Sequence, residues 1–145
     1  MRIAEISPDG RLLELQHAAY AVEAKLIGDD RIPPLRENLA DLQAKPLAWL
    51  GAFEEVWLAG AVAYTETPEA VDIDRLIVDP AAHRRGIGRA LVEEVLARAG
   101  TRKITVATGR ENVPARTLYE NLGFQKVDDA EPVPGLWITE YSRPA

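Results

Sequence analysis

Residues 71–99 read VDIDRLIVDPAAHRRGIGRALVEEVLARA, and this stretch decides the fold. The apolar and β-branched residues from Val71 to Val78 predict a strand, which Asp79-Pro80 ends. Gly86 to Ala99 predicts a helix that stops at Gly100. Its apolar side chains recur on one side of the helix, at Ile87, Leu91, Val92, Val95 and Ala99. The unit is therefore a strand and a helix joined by a basic turn that contains two glycines.

The turn His83-Arg84-Arg85-Gly86-Ile87-Gly88 has the features of an anion-binding site. A helix begins with backbone N–H groups that have no partner inside it, and its dipole is positive at that end. Gly86 allows a tight turn, and Gly88 lets a ligand approach the backbone closely. Positive charge around the turn comes from Arg84, Arg85 and Arg89. Taken alone, two glycines at this spacing fit an ordinary helix start equally well.

Two better-known phosphate motifs are excluded at this turn. A dinucleotide fingerprint requires glycine or alanine three residues after the second glycine, where this chain has Leu91. A P-loop requires Gly-Lys-Ser/Thr, which the sequence lacks.

The whole chain predicts an α+β fold with a mixed central β-sheet flanked by helices. The predicted strands are Met1 to Ile6, Leu47 to Phe53, Val56 to Tyr64, Val71 to Val78, Lys103 to Ala107, Phe124 to Val127 and Leu136 to Tyr141. The predicted helices are Arg11 to Ile27, Leu35 to Gln43, Gly86 to Ala99 and Asn112 to Asn121. The order βααβββαβαββ places hairpins before a strand–helix–strand unit, so the sheet combines antiparallel and parallel pairs. Arg31-Ile32-Pro33-Pro34 is predicted to be an extended loop, because each proline disfavours helix in the preceding residue.

Composition excludes several classes of protein. A length of 145 residues with 47% hydrophobic residues suits one domain over residues 1–145. The net charge of −6 argues against a nucleic-acid partner. With no cysteine and only two histidines, no metal site is expected. Residues 1–30 do not resemble a signal peptide and no apolar run could span a membrane, so we expect a cytoplasmic protein without a membrane partner.

A second motif lies at residues 112–124, which read NVPARTLYENLGF. It matches Asn-x-x-Ala-x-x-Leu-Tyr-x-x-x-Gly-Phe, and residues 83–88 match Gln/Arg-x-x-Gly-x-Gly/Ala except at His83. With both motifs in this order, the chain resembles the GNAT superfamily of acyl-CoA-dependent N-acyltransferases. The resemblance is close from about residue 71 to residue 127 and elsewhere covers only the order of elements. The departure at His83 is mild, because the family pattern binds pyrophosphate mainly through backbone amides.

The resemblance implies that acetyl-CoA is the acyl donor. The residues implied for its pyrophosphate are Arg84, Arg85, Gly86, Ile87, Gly88, Arg89 and Ala90. Its pantetheine arm would pair with the backbone of Leu76, Ile77 and Val78, where an N–H near Leu76 would polarise the thioester carbonyl. The second motif would add donor contacts from Asn112, Ala115 and Tyr119. Asn112 is also a favourable helix N-cap.

The same resemblance implies that Tyr119 protonates the departing thiolate. A phenol with an ordinary pKa of ~10 remains protonated at pH 7 and can donate to a newly formed anion. Asp72 and Asp74 lie two apart on one strand and therefore on one face. Some family members carry a catalytic acid at the position of Asp72. The general base is left open among Asp72, Asp74 and ordered water.

The N-terminal helices shape the acceptor pocket in this family. Tyr20 and Glu23 are three residues apart on the first predicted helix and share a face, which makes them candidates for acceptor binding. Ile32-Pro33-Pro34-Leu35 is predicted to form a rigid lid. The acceptor is a small-molecule amine or a protein amine, and its identity stays open. So do the use of other acyl groups and the oligomeric state, for which a homodimer is one option.

The predicted function is acetyl transfer from acetyl-CoA to a primary amine by direct attack in a ternary complex, since no cysteine is available to carry the acetyl group. Two alternatives remain from the sequence. One is a non-catalytic acyl-CoA-binding or regulatory module, and the other is a nucleotide-binding domain that uses the same turn for another phosphate ligand.

Overall fold

A computed structural model describes residues 1–144 and contains one seven-stranded sheet. The strand order in space is β1-β2-β3-β4-β5-β7-β6. The strands are β1 (Arg2–Ile6), β2 (Ala48–Glu54), β3 (Trp57–Glu66), β4 (Ala70–Val78), β5 (Lys103–Gly109), β6 (Gln125–Val133) and β7 (Leu136–Arg143). Only the β4–β5 pair among these strands is parallel, so the sheet is mixed as the sequence predicts.

Helices cover both faces of the sheet. They are α1 (Gly10–Ile27), α2 (Pro33–Arg36), α3 (Leu39–Ala44), α4 (Ile87–Ala99) and α5 (Val113–Asn121). Alternate residues of a strand point to opposite faces. Accordingly Val62 of β3 belongs to a core cluster with residues of α4 and α5, whereas its neighbours Ala61 and Ala63 belong to a cluster with α1 and α3. The mixed sheet flanked by helices confirms the predicted α+β class.

The predicted helix from Leu35 to Gln43 is wrong, because two short helices occupy this region. Glu37 between them has an extended backbone, with ψ 139°. Asn38 then starts α3 with a capping box: its side chain accepts the Asp41 N–H at 2.8 Å, and the Asp41 carboxylate accepts the Asn38 N–H at 3.0 Å. Because this box satisfies two N–H groups at a helix start, it favours a new helix over continuation of the old one.

The predicted extended loop at residues 31–34 is also corrected, whereas the lid at residues 32–35 stays a prediction. Ile32 is extended, but Pro33 and Pro34 form the first turn of α2. A proline fits the start of a helix, because its fixed φ is helical and its missing N–H would have no partner there. The element order is therefore βαααβββαβαββ, and β6 reaches Val133 rather than ending at Val127.

Strands β4 and β5 separate midway along their length. Within the described residues their pairing runs from Ala70 and Lys103 only to Ile73 and Val106, although β4 continues to Val78. A bulge begins at the same point, where Tyr64 of β3 pairs with Ile73 and Ala63 pairs with Arg75. Asp74 is the extra residue, so Asp74 and Arg75 both project towards the face covered by α1. The separation leaves the edge of β4 beyond Ile73 open to a ligand.

None of the helices within residues 1–144 combines the length and the apolar character that a membrane span requires.

Candidate functional site

The turn before α4 has two residues in the left-handed region. Arg84 has φ 69° and Gly86 has φ 76°. Glycine adopts this conformation without strain, whereas a residue with a Cβ atom adopts it rarely. The structure thus places a strained arginine directly beside the predicted anion site, a feature that often accompanies function.

The turn leaves a run of backbone N–H groups without acceptors. The His83 N–H bonds to the Pro80 carbonyl at 3.4 Å, and bonding resumes with the Ala90 N–H to the Gly86 carbonyl at 3.0 Å. Between them, the N–H groups of residues 84–89 have no acceptor among residues 1–144. Gly86 is the N-cap of α4 and supplies no side-chain cap. Unpaired N–H groups at the positive end of a helix form a site suited to phosphate.

The three arginines of the turn differ in their surroundings. Arg85 donates to the Glu54 carboxylate at 2.9 Å and lies 6.0 Å from the centre of the Trp57 ring. Arg89 pairs with Glu93 at 3.3 Å within α4. Arg84 has no carboxylate within ion-pair distance in the described part of the chain, so its charge is uncompensated. The groups that remain free to bind an anion are therefore the backbone N–H groups of the turn and the Arg84 side chain, rather than Arg85 or Arg89.

The other residues implied for acetyl-CoA binding near this turn either pack in the core or can serve the ligand only through their backbone. Ile87 is 2% exposed and packs in the core, so only its N–H can serve a ligand. Ile77 is likewise buried, in the cluster with α1, whereas Leu76 and Val78 are partly exposed on the opposite face. Gly88 lies between these two side chains and Leu118, and a Cβ atom there would meet all three at 3.5–3.6 Å. The turn and the open edge of β4 are thus adjacent, as the predicted donor site requires.

Asn112 and Ala115 of the second motif already form hydrogen bonds with other groups of the protein. The Asn112 side-chain oxygen accepts the Ala115 N–H at 3.2 Å and caps α5. The Asn112 side-chain amide donates to the Glu23 carboxylate of α1 at 2.8 Å. The structural role of Asn112 is therefore to cap α5 and to join it to α1.

Tyr119 is 3% exposed, and its ring packs against Phe124 and Tyr141 at centroid distances of 5.5 Å and 6.2 Å. Its hydroxyl makes no hydrogen bond with another group of residues 1–144. Burial, and secondarily the Glu23 carboxylate, raise the pKa of Tyr119 well above its usual value. The phenol therefore stays protonated at neutral pH, with its proton available to a ligand.

The two candidate bases on β4 share a face, as the sequence predicts, and in the structure it is the face covered by α1. Asp72 accepts a hydrogen bond from the Thr105 hydroxyl at 2.6 Å. Burial raises the pKa of Asp72 despite this bond. Asp74 accepts from the Arg75 guanidinium at 2.5 Å and is thus held in an ion pair.

Tyr20 and Glu23 of α1 lie near Tyr119. Burial and the adjacent Glu23 carboxylate raise the pKa of Tyr20. Burial also raises the pKa of Glu23, and hydrogen bonds from Asn112 and Thr108 oppose that shift. The charges of Glu23, Arg75 and Asp74 and the Tyr119 phenol all act on Tyr20. The structure thus brings residues from three elements together around one end of the β4–β5 cleft.

A buried polar network beside this site is absent from the sequence predictions. The Arg75 guanidinium donates to the Glu37 carboxylate at 2.7 Å and to the Gln16 side-chain oxygen at 3.1 Å. Gln16 in turn donates to Glu37 at 2.9 Å and to the Pro34 carbonyl at 3.0 Å. The signal in the sequence is a glutamine on the apolar stripe of the first helix and an arginine inside an apolar strand.

Comparison with protein-family models matches residues 11–124 to the acetyltransferase (GNAT) family. The UPF0157 protein YqkA of Bacillus subtilis is 36% identical over 131 residues, which are 90% of this chain and 38% of YqkA. The chain thus spans well under half the length of that relative. The N-alpha-acetyltransferase RimI of Mycobacterium tuberculosis is 35% identical over 113 residues, or 73% of this chain and 70% of RimI.

A solved structure shows the same fold. The PaiA N-acetyltransferase of Thermoplasma acidophilum, in complex with coenzyme A, superposes with a TM-score of 0.67 at 18% identity. The match covers 99% of this chain and 98% of that one.

Proposed function

The chain belongs to the GNAT acetyltransferase family, and on that premise we propose that it transfers the acetyl group of acetyl-CoA to a primary amine. The transfer is direct, within a ternary complex of protein, donor and acceptor. The absence of cysteine from the sequence supports this route, because no thiol can carry the acetyl group between two half-reactions.

The observation that carries the proposal is a continuous set of free groups along the β4–β5 cleft. The unpaired N–H groups of residues 84–89 suit the donor's pyrophosphate, and the edge of β4 beyond Ile73 suits the amides of its pantetheine arm. Tyr119, which is 3% exposed as a residue and whose hydroxyl makes no hydrogen bond among the described residues, lies near Glu23 and Tyr20 at the end of the cleft. Bound acetyl-CoA would supply a thioester, and a backbone N–H near Leu76 would stabilise negative charge on its carbonyl oxygen.

Tyr119 acts as the proton donor in this proposal. Its phenol gives its proton to the leaving sulfur, and its raised pKa keeps that proton in place until the thiolate forms. A carboxylate on the face covered by α1 takes a proton from the amine, and Asp72 and Asp74 lie on that face. The acceptor amine belongs to a small molecule or to a protein; the RimI relative, an N-alpha-acetyltransferase by name, makes a protein α-amine one candidate.

Calorimetry and a thiol-release assay test the proposal. We expect acetyl-CoA and CoA to bind with similar affinity, and ATP and NAD to bind far more weakly. We also expect thiol release from acetyl-CoA in the presence of at least one class of primary amine. Tight CoA binding without thiol release across alkylamines, amino-acid amides and peptides would instead identify a non-catalytic acyl-CoA-binding module.

A further inference from the structure

Glu23 is a partly buried carboxylate without a cationic partner. It accepts hydrogen bonds from the Asn112 amide at 2.8 Å and from the Thr108 hydroxyl at 3.5 Å, and both donors are neutral. No lysine, arginine or histidine within residues 1–144 forms an ion pair with it. A carboxylate withdrawn from water is costly unless a cation compensates it. A cation beside the Glu23 carboxylate would stabilise its charged form, and no group within residues 1–144 provides one.

The two carboxylates on β4 differ from Glu23, because Asp74 has a cationic partner and Asp72 lies where β4 and β5 are still paired. Asp74 already has a cationic partner, since the Arg75 guanidinium donates to it at 2.5 Å. Asp72 is held by Thr105 at 2.6 Å, at a level where β4 and β5 are still paired and before the cleft opens. Glu23 alone among these three is both uncompensated and next to the cleft residue Tyr119.

The structure also fixes Glu23 relative to Tyr119. Asn112 holds the Glu23 carboxylate with its amide while its oxygen caps α5, the helix that carries Tyr119. The Glu23 charge acts on the phenols of both Tyr119 and Tyr20. Tyr119 is 3% exposed, and its hydroxyl makes no hydrogen bond among the described residues. It is therefore a second group at this place that is free to bind a ligand.

We propose that Glu23 holds the ammonium group of the acceptor and takes its proton, and that the acceptor is a primary aliphatic amine that is protonated at neutral pH. This inference rests on the proposed acetyl transfer and identifies both its general base and its acceptor class.

The proton balance of the reaction is complete with these residues. Glu23 takes one proton from the ammonium, and the free amine forms a C–N bond to the acetyl carbonyl carbon. Tyr119 gives its proton to sulfur as the C–S bond breaks, and the nitrogen returns a second proton to the Tyr119 phenolate. Glu23 then releases its proton to water. An ammonium and a thioester become an amide, a thiol and one proton.

Glu23→Gln tests the inference, because glutamine keeps an oxygen for the Asn112 amide and removes the charge. Glu14→Gln, on the exposed side of the same helix, is the matched control. The probes are n-butylamine, which is protonated at pH 7, and 2,2,2-trifluoroethylamine, which is largely unprotonated there. We expect kcat/KM of Glu23→Gln to fall by about 100-fold or more with n-butylamine and by less than about tenfold with trifluoroethylamine. Equal losses with the two amines, or none, would overturn the inference.

Stability against pH gives a readout that does not depend on turnover. The groups facing Glu23 are Tyr20 and Tyr119, with Asp74 and Arg75 beyond Tyr20. Because burial raises the pKa of Glu23 above 4.5, its stabilising contribution is present below that pH and is lost as pH rises through the folded pKa. Glutamine does not titrate. The difference in Tm, Glu23→Gln minus wild type, should therefore be more positive at pH 7 than at pH 4. The opposite order would show a carboxylate that is already compensated and would overturn the inference.

Failure of the proposed function is distinguishable from failure of this inference. If wild-type protein releases no thiol with any amine, the proposed function fails. The role of Glu23 is then tested by the binding of an ammonium ion, measured as a shift in Tm. n-Butylammonium chloride should then raise the Tm of wild type but not of Glu23→Gln, against sodium chloride at equal ionic strength. Equal shifts in the two proteins would overturn the role of Glu23.

Discussion

Two tyrosines whose ring centroids lie 6.2 Å apart, Tyr119 and Tyr141, differ at the residue scale in what their hydroxyls bind. Tyr141 is 1% exposed, and its hydroxyl donates to Glu120 at 2.6 Å and accepts from Arg116 at 2.9 Å. Tyr119, equally enclosed, has no such partners among the described residues. The Tyr119 hydroxyl is therefore free to bind a ligand, whereas the Tyr141 hydroxyl is committed to Glu120 and Arg116.

Tyr119→Phe should therefore separate activity from stability. We expect kcat/KM for thiol release to fall by about 10²- to 10⁴-fold, because the leaving thiolate loses its proton donor. The free energy of unfolding should change by less than about 1 kcal/mol, since the Tyr119 hydroxyl makes no hydrogen bond within the described residues. Steady-state kinetics and urea unfolding measure the two effects.

Tyr141→Phe is the matched control for that variant. It should lose about 1.5–3 kcal/mol of stability, because hydrogen bonds to charged groups disappear, and should keep nearly wild-type turnover. Full activity in Tyr119→Phe would contradict the proton-donor role.

At the scale of elements, the buried network attaches the α1–α2–α3 region to β4. Burial alone would raise the pKa of Glu37, but hydrogen bonds from Arg75 and Gln16 outweigh that effect and the net pKa lies below 4.5. Such a carboxylate stabilises the fold above its unfolded pKa, and that contribution is lost as pH falls through the folded pKa. The network thus links the helices that border the cleft to the bulge where the cleft opens.

Glu37→Gln should destabilise the protein by about 1–3 kcal/mol at pH 7, because the buried Arg75 guanidinium then keeps only Asp74, whose side chain is 35% exposed, as its counter-charge. The difference from wild type should shrink as pH falls below 4.5, where Glu37 itself becomes protonated. Lys45→Met is the control: Lys45 is 42% exposed and 3.5 Å from Glu37, so its loss should change stability by less than about 1 kcal/mol. Urea unfolding from pH 3 to pH 8 measures both, and a pH-independent loss in Glu37→Gln would contradict the assignment.

The turn before α4 can be tested without disturbing the fold. A Cβ atom at Gly88 would make ordinary contacts at 3.5–3.6 Å, so Gly88→Ala should leave stability unchanged or raise it by up to about 1 kcal/mol. If the donor's pyrophosphate lies against this backbone, the same change should weaken acetyl-CoA binding by about tenfold or more. Calorimetry and thermal unfolding check the two parts.

Gly10→Ala serves as the control for that change, since nothing lies within 4 Å of its Cβ position at the start of α1. It should alter neither acetyl-CoA affinity nor turnover. Unchanged acetyl-CoA affinity in Gly88→Ala would place the pyrophosphate elsewhere.

At the scale of the whole molecule, the net charge of −6 opposes a polyanionic donor and favours a cationic acceptor. Donor binding must then rely on local groups, and the unpaired N–H groups of residues 84–89 with Arg84 provide them. Three carboxylates, those of Asp72, Asp74 and Glu23, lie on the side of the sheet covered by α1. In the proposed reaction, this charge distribution would hold the polyanionic donor and the cationic acceptor at different places.

Periodicity was sufficient to predict the sheet, the long helices and the turn. The strand at residues 71–78 and the helix ending at Ala99 follow from apolar spacing and from glycine and proline punctuation, which are local properties. The split at Glu37 escaped prediction, because it depends on a capping box at Asn38 and on a carboxylate held by an arginine 38 residues away. Local sequence patterns cannot reveal a contact between residues that are this far apart in the chain.

The candidate site shows the same division. Tyr119 and the turn follow from motifs, and Asp72 and Asp74 share a face as their spacing predicts. The second hydrogen bond of Asn112, to a glutamate 89 residues away, depends on how α1 packs against α5. That packing, rather than the motif, gives Glu23 its place beside Tyr119.

Mass spectrometry of a single turnover tests the central claim most directly. Protein in excess over [acetyl-13C]acetyl-CoA is mixed with n-butylamine and quenched in acid at increasing times. Direct transfer predicts that labelled N-butylacetamide and free CoA appear together, one for one, while the protein mass never changes. A labelled acetyl-protein that forms before the amide, or CoA released without any amide, would contradict the account.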